Sequence, residues 1–342
     1  MHLTPRAAEK VCREGVQEPF DTAARNINAD WGTTYDGKQM QRWVEGYGRQ
    51  VATEQEQERQ AYAKTGAHPE GPPNAPEVLG VGMDGGRVQE REKDPQSDSH
   101  WHEDKVLTIS SYRKALPEKP GDDPLPVRLV TTYAATMQDS HPFGQLARIE
   151  AERRGIRQAL EVVVIGDGAA WIDTEAQTHF ACHARIIDFY HVVERLGELA
   201  KALYPDQEKA SKRLADRLEG QLYNGKAAAI LRWMTKKQKQ VGLPRKNDLK
   251  EHPRSVLAEQ KAYMERHQAH MDYTTYRAKG WPIGSGVVES GVKLFNKRVK
   301  GTEQFWNESG AEAVLALRAL WLSQDGRWDH YWLYGHLPRK AA

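Results

Sequence analysis

The stretch EVVVIGDGAAW (161–171) decides the fold. Val162 to Ile165 are four consecutive β-branched apolar residues bounded by Gly166, the pattern of a short strand buried on both faces. Asp167 stands where that strand ends, with Gly168 behind it. The same arrangement occurs earlier in EVLGVGMDGGRV (77–88), where an apolar run from Val78 to Met83 ends in Asp84-Gly85. Groups just beyond strand ends leave the buried sheet and line a cleft, so Asp84 and Asp167 are candidates for one site. Further strands are expected at 106–112, 127–133 and 184–189, with a helix at 143–160. Strands and helices alternate only between 78 and 191, which gives an α/β class. From Val192 to about Met271 the chain reads as helical and strongly basic.

A third acid lies in GSGVVESGVKLFNKRVKG (284–301). If residues 286–300 form a helix, Val288, Val292, Phe295 and Val299 make an apolar stripe. Glu289, Lys293, Asn296 and Lys300 make the stripe beside it, with Lys297 and Arg298 close by. Packing the valine stripe on the sheet would set Glu289 at its rim. Carboxylates from separate elements repel unless a cation sits between them, and hard oxygen ligands select Mg²⁺ or Mn²⁺. Asp84, Asp167 and Glu289 together point to phosphoryl transfer with two ions, chemistry that asks mainly for positioning and charge neutralisation. The zinc reading is weaker. His179, Cys182 and His183 have no CxxC partner and read as part of a buried loop.

The N-terminal 65 residues read as helical. Phe20, Ala23, Ala24 and Ile27 recur at helical spacing. After WGTTYDG a second helix from about Lys38 to Tyr47 carries Met40, Trp43 and Val44 inward. Two helices across a tight turn fit a helix-turn-helix, whose second helix offers Lys38, Gln39, Gln41 and Arg42, side chains suited to base edges and phosphates. A polar Gln/Glu-rich stretch follows, then a proline-rich linker at 68–77. Net charge is only +2, but residues 1–200 hold 23 Lys+Arg against 32 Asp+Glu and residues 201–342 hold 26 against 15. A basic half beside an acidic one fits a polyanionic partner and a locally acidic site. Two cysteines make no disulfide framework, and no apolar run reaches about 18 residues or forms a signal-peptide core. A cytoplasmic setting without a membrane partner is the expectation.

GMDGGRVQERE…HWHEDKV, VVVIGDGAAWI, RIIDFYHVVERL and GSGVVESGVKLFNKRVKG, in this order, resemble the motifs of bacterial insertion-sequence transposases with a DDE active site, and among them the Kra-type insertion-sequence group. The resemblance runs from about residue 4 to 322. It implies a ribonuclease-H-like mixed sheet with flanking helices, interrupted by a large helical insertion. The corresponding layout is a DNA-binding helical region at 1–67, a linker at 68–77, a core at 78–191 and 273–325, the insertion at 192–272 and a tail at 326–342. It implies Mg²⁺- or Mn²⁺-dependent cutting of an element's DNA ends and joining of the 3′ ends to target DNA. Asp84, Asp167 and Glu289 would then be the metal-binding catalytic acids. Asp188 and His191 match a supporting Asp-x-x-His signature. Lys293, Lys297, Arg298 and Lys300 would hold DNA phosphates, and Lys38, Gln41 and Arg42 would contact the element's ends. Bringing two ends together implies a homodimer or larger assembly, associated with the nucleoid. A catalytically silent, domesticated DNA-binding relative is the alternative. Two departures from the group stand out: less sequence precedes the helix pair, and Thr302-Glu303-Gln304 replaces a glycine-rich continuation, adding an acid beside the basic residues.

Overall fold

The computed structural model describes residues 3–93, 98–117, 119, 121–301 and 304–337. Three helices open the chain: α1 (Pro5–Gln17), α2 (Phe20–Trp31) and α3 (Gly37–Thr65). Thr4 caps α1 through the Ala7 amide, and Asp36 with Gln39 forms a reciprocal capping box on α3. Asn28 closes the turn between α2 and α3, its side chain accepting from the Tyr35 amide and donating to the Tyr35 carbonyl. The expected short second helix and the polar stretch behind it are one continuous helix of 29 residues, which ends at left-handed Gly66.

The sheet follows. Its elements are β1 (Val78–Gly85), a small ribbon of β2 (Val88–Gln89) and β3 (Trp101–His102), then β4 (Lys105–Ala115), β5 (Leu125–Thr136), α4 (Ser140–Arg153), β6 (Glu161–Gly166), α5 (Ala170–His179) and β7 (Ala184–Ile187). The main sheet has the order β5-β4-β1-β6-β7. β1 pairs antiparallel with β4 and parallel with β6, so the sheet is mixed. α4 stops short of the expected residue 160 because the chain turns at Gly155, whose φ is +81°. β7 stops short of Phe189 because Asp188 caps α6 (Phe189–Leu203), accepting from the His191 amide.

Helices α7 (Glu208–Tyr223), α8 (Ala227–Val241) and α9 (Pro253–His267) continue the chain, followed by a 3₁₀ turn at Gln268–His270 and α10 (Tyr273–Ala278). They build a core of their own with α6 and the β6–β7 edge, around Leu218, Ile230, Leu257 and Met264. The chain then returns through α11 (Gly286–Val299), α12 (Glu308–Leu322) and α13 (Arg327–Tyr334). α13 lies in what reads as a tail; Trp328 and Tyr331 bury its inner face.

Strand side chains alternate between the two faces of the sheet. Leu79, Val81 and Met83 point with Leu107, Ile109, Val162 and Val164 toward α4 and α5. The opposite parity faces α11. A Cβ on Gly82 would meet Thr108 Oγ1 at 2.7 Å and Val288 Cβ at 3.0 Å, so the absence of a side chain there lets α11 press onto β1. The first three helices are no separate unit, for Val11, Ile27, Met40 and Val44 share one core with Val288, Phe295, Val314 and Trp328. Two buried arginines lock this junction. Arg298 Nε donates to Gly15 O at 2.8 Å, while Arg318 donates to Val16 O and to Leu294 O. Among the described residues no helix is long and apolar enough to cross a membrane.

Candidate active site

Register explains how two acids 83 positions apart share a face. Gly80 pairs with Val163 and Gly82 with Ile165. One more step of two along each parallel strand reaches Asp84 and Asp167, on the side covered by α11. Glu289 lies in the first turn of α11. All three acids line one cavity of about 290 Å³ together with Met83, Tyr190, His191, Glu194, Ser285 and Val288. The valine stripe explains the delivery of Glu289: Val288, Phe295 and Val299 are buried, while Glu289 is half-buried beside them.

Local backbone groups aim the carboxylates. Asp84 Oδ1 accepts from the Gly85 amide at 2.7 Å, and Asp167 Oδ1 from the Ala169 amide at 2.8 Å. Gly168 has φ +88°, a left-handed conformation that explains the glycine after Asp167. Burial pushes the Asp84 carboxyl up to about 6. The Gly85 amide opposes that rise, and the charges of Asp167, Glu289 and Asp188 add to it. No lysine or arginine is among the residues lining the cavity. The donor atoms are carboxylate oxygens with one imidazole at the margin, a set suited to a hard divalent cation. The three acids stand apart. Among the described residues, the one trio of ligating side chains whose donor atoms all lie within 4.8 Å of one another is His141, Glu175 and His179, on the other face of the sheet.

Asp188 and His191 fall into different places. Asp188 is fully buried and outside the cavity wall. It accepts from the His191 amide at 3.0 Å, from the Ser285 amide at 2.6 Å and from the Ser285 hydroxyl. That hydroxyl also lies 2.9 Å from Glu289 Oε1, so Asp188 reaches Glu289 through Ser285. His191 lines the cavity. Its Nε2 accepts from Arg195 Nε at 3.0 Å, which leaves the ring proton on Nδ1. The Arg195 guanidinium lies 4.2 Å over the ring of Tyr263, whose hydroxyl donates to Asp167 O at 2.7 Å. α6 and α9 thereby brace the second acid.

The basic residues divide. Lys293, Lys297 and Lys300 are exposed, with Lys300 Nζ 5.1 Å from the Trp101 ring. Arg298 does not join them and cannot reach a phosphate from its place in this fold. It is 1% exposed, lies between the rings of Phe20 at 4.5 Å and Trp306 at 5.2 Å, and is bonded to Gly15 O. Burial, with Arg318 beside it, lowers its affinity for a proton to a pKa of about 9. On α3, Lys38 and Arg42 are exposed, whereas Gln41 Nε2 is engaged by Glu45 Oε1 at 2.6 Å. Gln304 is described, but Thr302 and Glu303 of the departure noted above lie outside the described residues. His183 stands away from His179, its Nδ1 accepting from the Val162 amide.

Sequence reasoning passed over Ser285, Tyr190, Glu194 and Tyr263. Ser285 had a usable signal: a hydroxyl four residues before Glu289 at a helix start lies on the same helical face. Asp104 was also passed over. It is fully buried beside β4, both carboxylate oxygens lack a hydrogen-bond partner, and burial pushes its carboxyl up to about 6.

No protein-family model matches the chain, and no curated protein matches it. Among solved structures, the Drosophila P element transposase strand transfer complex is similar over 99% of this chain and 82% of that one, with 10% sequence identity and a TM-score of 0.30. Likeness at that level leaves the side-chain arrangement above as the ground for any functional reading.

Proposed function

We propose that the protein is a DNA transposase of the DDE kind, built on a ribonuclease-H-like core, which cuts the ends of an insertion sequence and joins their 3′ ends to target DNA. The observation that carries the reading is the cavity where Asp84, Asp167 and Glu289 meet from two adjacent parallel strands and one helix, with no cationic side chain in its wall. Mg²⁺ or Mn²⁺ fits this donor set, because Asp84, raised to about 6 by burial and then by the charges of the other acids, gains from a hard cation that favours its ionised form. Asp84, Asp167 and Glu289 would hold two such ions, which supply activation of the attacking hydroxyl and stabilisation of the leaving oxygen in an in-line displacement.

The chain's own groups do the positioning. Asp188 fixes Ser285, and Ser285 holds Glu289 at the rim of the cavity. Arg195 orients His191 with its Nδ1–H free to donate to a bound phosphate oxygen. The exposed Lys293, Lys297 and Lys300 on and just beyond α11 form a phosphate-holding edge next to Glu289. Lys38 and Arg42 on α3 offer a second contact to duplex DNA, and two copies of the chain would hold the paired ends.

Incubation with DNA carrying the element's own ends, in Mg²⁺ or Mn²⁺, tests this directly. Cleaved and joined products are expected from the parent chain. Asp84→Asn, Asp167→Asn and Glu289→Gln should each lower the yield by ~10³-fold or more, the scale of losing a principal electrostatic contribution. Joining that persists in all three variants would rule the assignment out. DNA binding without products from the parent chain would favour the silent relative instead.

A further inference from the structure

The trio on the far face of the sheet is not explained by the acidic cavity. α4 carries His141 in its first turn, and α5 carries Glu175 and His179 four residues apart, hence on one helical face. Their ligating atoms all lie within 4.8 Å of one another, and His179 Nε2 is 3.3 Å from Glu175 Oε2. Glu175 is 3% exposed and the His179 side chain 9%. Glu175 Oε2 and His179 Nε2 are buried and face each other, with no further hydrogen-bond partner for either atom. A carboxylate oxygen and an imidazole nitrogen held 3.3 Å apart away from water share one proton in the metal-free chain, and a divalent cation would take the place of that proton between them. Gly144 of α4 makes the space, since a Cβ there would overlap Glu175 Oε2 and His179 Cδ2. The exposed His141 ring faces the pair from the solvent side, 6.0 Å from the His179 ring. Arg148, beside His179, is tied to Glu152 and to the His179 carbonyl rather than to Glu175.

We propose that His141, Glu175 and His179 form a site for one divalent transition metal of the zinc class, which clamps the start of α4 to the end of α5. Two imidazoles and a carboxylate suit Zn²⁺, Co²⁺ or Ni²⁺ and disfavour Mg²⁺, which prefers oxygen donors. Three protein ligands leave the remaining position to water beside His141. The clamp bears on the other site only through the backbone. α5 begins three residues after Asp167, so fixing its far end stiffens the helix that follows the second acid.

The test uses the full-length chain, stripped of metal and carrying Asp84→Asn and Asp167→Asn so that the acidic cavity no longer competes. Titration with Co²⁺ should give saturable visible d–d absorption, reversed by Zn²⁺, and Zn²⁺ should raise the thermal midpoint. His141→Ala lies at an exposed helix start and leaves the fold intact; it should weaken Zn²⁺ binding about tenfold or more. His179→Gln should abolish the Co²⁺ band. Absence of a saturable Co²⁺ spectrum, or Zn²⁺ affinity unchanged by His141→Ala, would overturn the proposal. Because the acids are already removed, either result leaves the transposase reading untouched.

Discussion

Two acidic clusters flank the sheet, and they are built on opposite principles. In the first, the buried side chains of Glu150 and Asp325 are bridged by Arg327, whose guanidinium donates to Glu150 at 2.6 and 3.0 Å and to Asp325 at 2.6 and 2.7 Å. Burial alone would raise the Asp325 carboxyl, but Arg327 and Arg154 hold it below its ordinary value. In the second, Asp84, Asp167 and Glu289 face one another across a cavity with no cationic side chain in its wall, and Asp84 rises to about 6. A fold that neutralises one set of acids internally can neutralise another. On the proposed reading, the second set is left uncompensated because a bound cation supplies the charge there.

The sharpest break between the clusters lies in what neutralising an acid does. Asp84→Asn or Asp167→Asn should cost activity by ~10³-fold or more. Either should leave stability unchanged or raise it, because the substitution removes a repulsion. Strand-transfer assays beside chemical denaturation measure both. A loss of activity that merely tracks a loss of stability would put these acids in the same class as Glu150.

The compensated cluster should behave the other way. Arg327→Met leaves the buried carboxylates of Glu150 and Asp325 with only the more distant Arg153, at 3.6 Å, and Arg154, at 3.9 Å, and should cost about 3–5 kcal/mol in urea unfolding. Adding Glu150→Gln and Asp325→Asn should recover much of that loss, since the penalty comes from unpaired charge rather than from missing contacts. Failure of the triple variant to recover would mean that the guanidinium acts through packing.

How far these clusters could be read from sequence differs too. Asp84 and Asp167 were legible because each follows a short apolar run and precedes glycine, so local pattern sufficed. Glu289 was legible through arithmetic on the α11 stripe. The Arg327 network was not, because it joins α4 to a segment 177 positions away that reads as a tail. The buried place of Arg298 was equally hidden. Position on a helix says which residues share a face, but the covering α1 comes from 283 positions upstream, beyond a proline-rich stretch that suggests independence. Ser285 was missed because its hydroxyl turns away from the usual capping role toward Asp188 and Glu289.

The same contrast extends to pH. For Asp84 the folded-state pKa of about 6 lies above the ordinary aspartate value of 3.8. The folded chain therefore holds this proton more tightly than the unfolded chain. Stability lost to Asp84 is absent below about pH 4, grows between about 4 and 6, and is complete above that, on the order of 2 kcal/mol. Thermal midpoints between pH 4 and 7 should fall less in Asp84→Asn than in the parent. Saturating Mg²⁺ should flatten the parent's profile, because a bound cation favours the ionised form. Identical profiles for the two chains would show that Asp84 carries no such burden.

The smallest effects separate the basic residues of α11 and its edge. Lys297→Ala and Lys300→Ala should each weaken DNA binding by about two- to threefold, and each should reduce the salt dependence by roughly one phosphate contact. Arg298→Gln should leave the salt slope unaltered and lower the thermal midpoint instead. Its guanidinium is spent on Gly15 O, Phe20 and Trp306, and losing it loosens α1 from α11. Gel-shift titrations across a salt series distinguish the two behaviours. Should Arg298→Gln flatten the slope as the lysine variants do, then α1 must leave α11 when DNA binds, exposing a face that the free chain keeps buried.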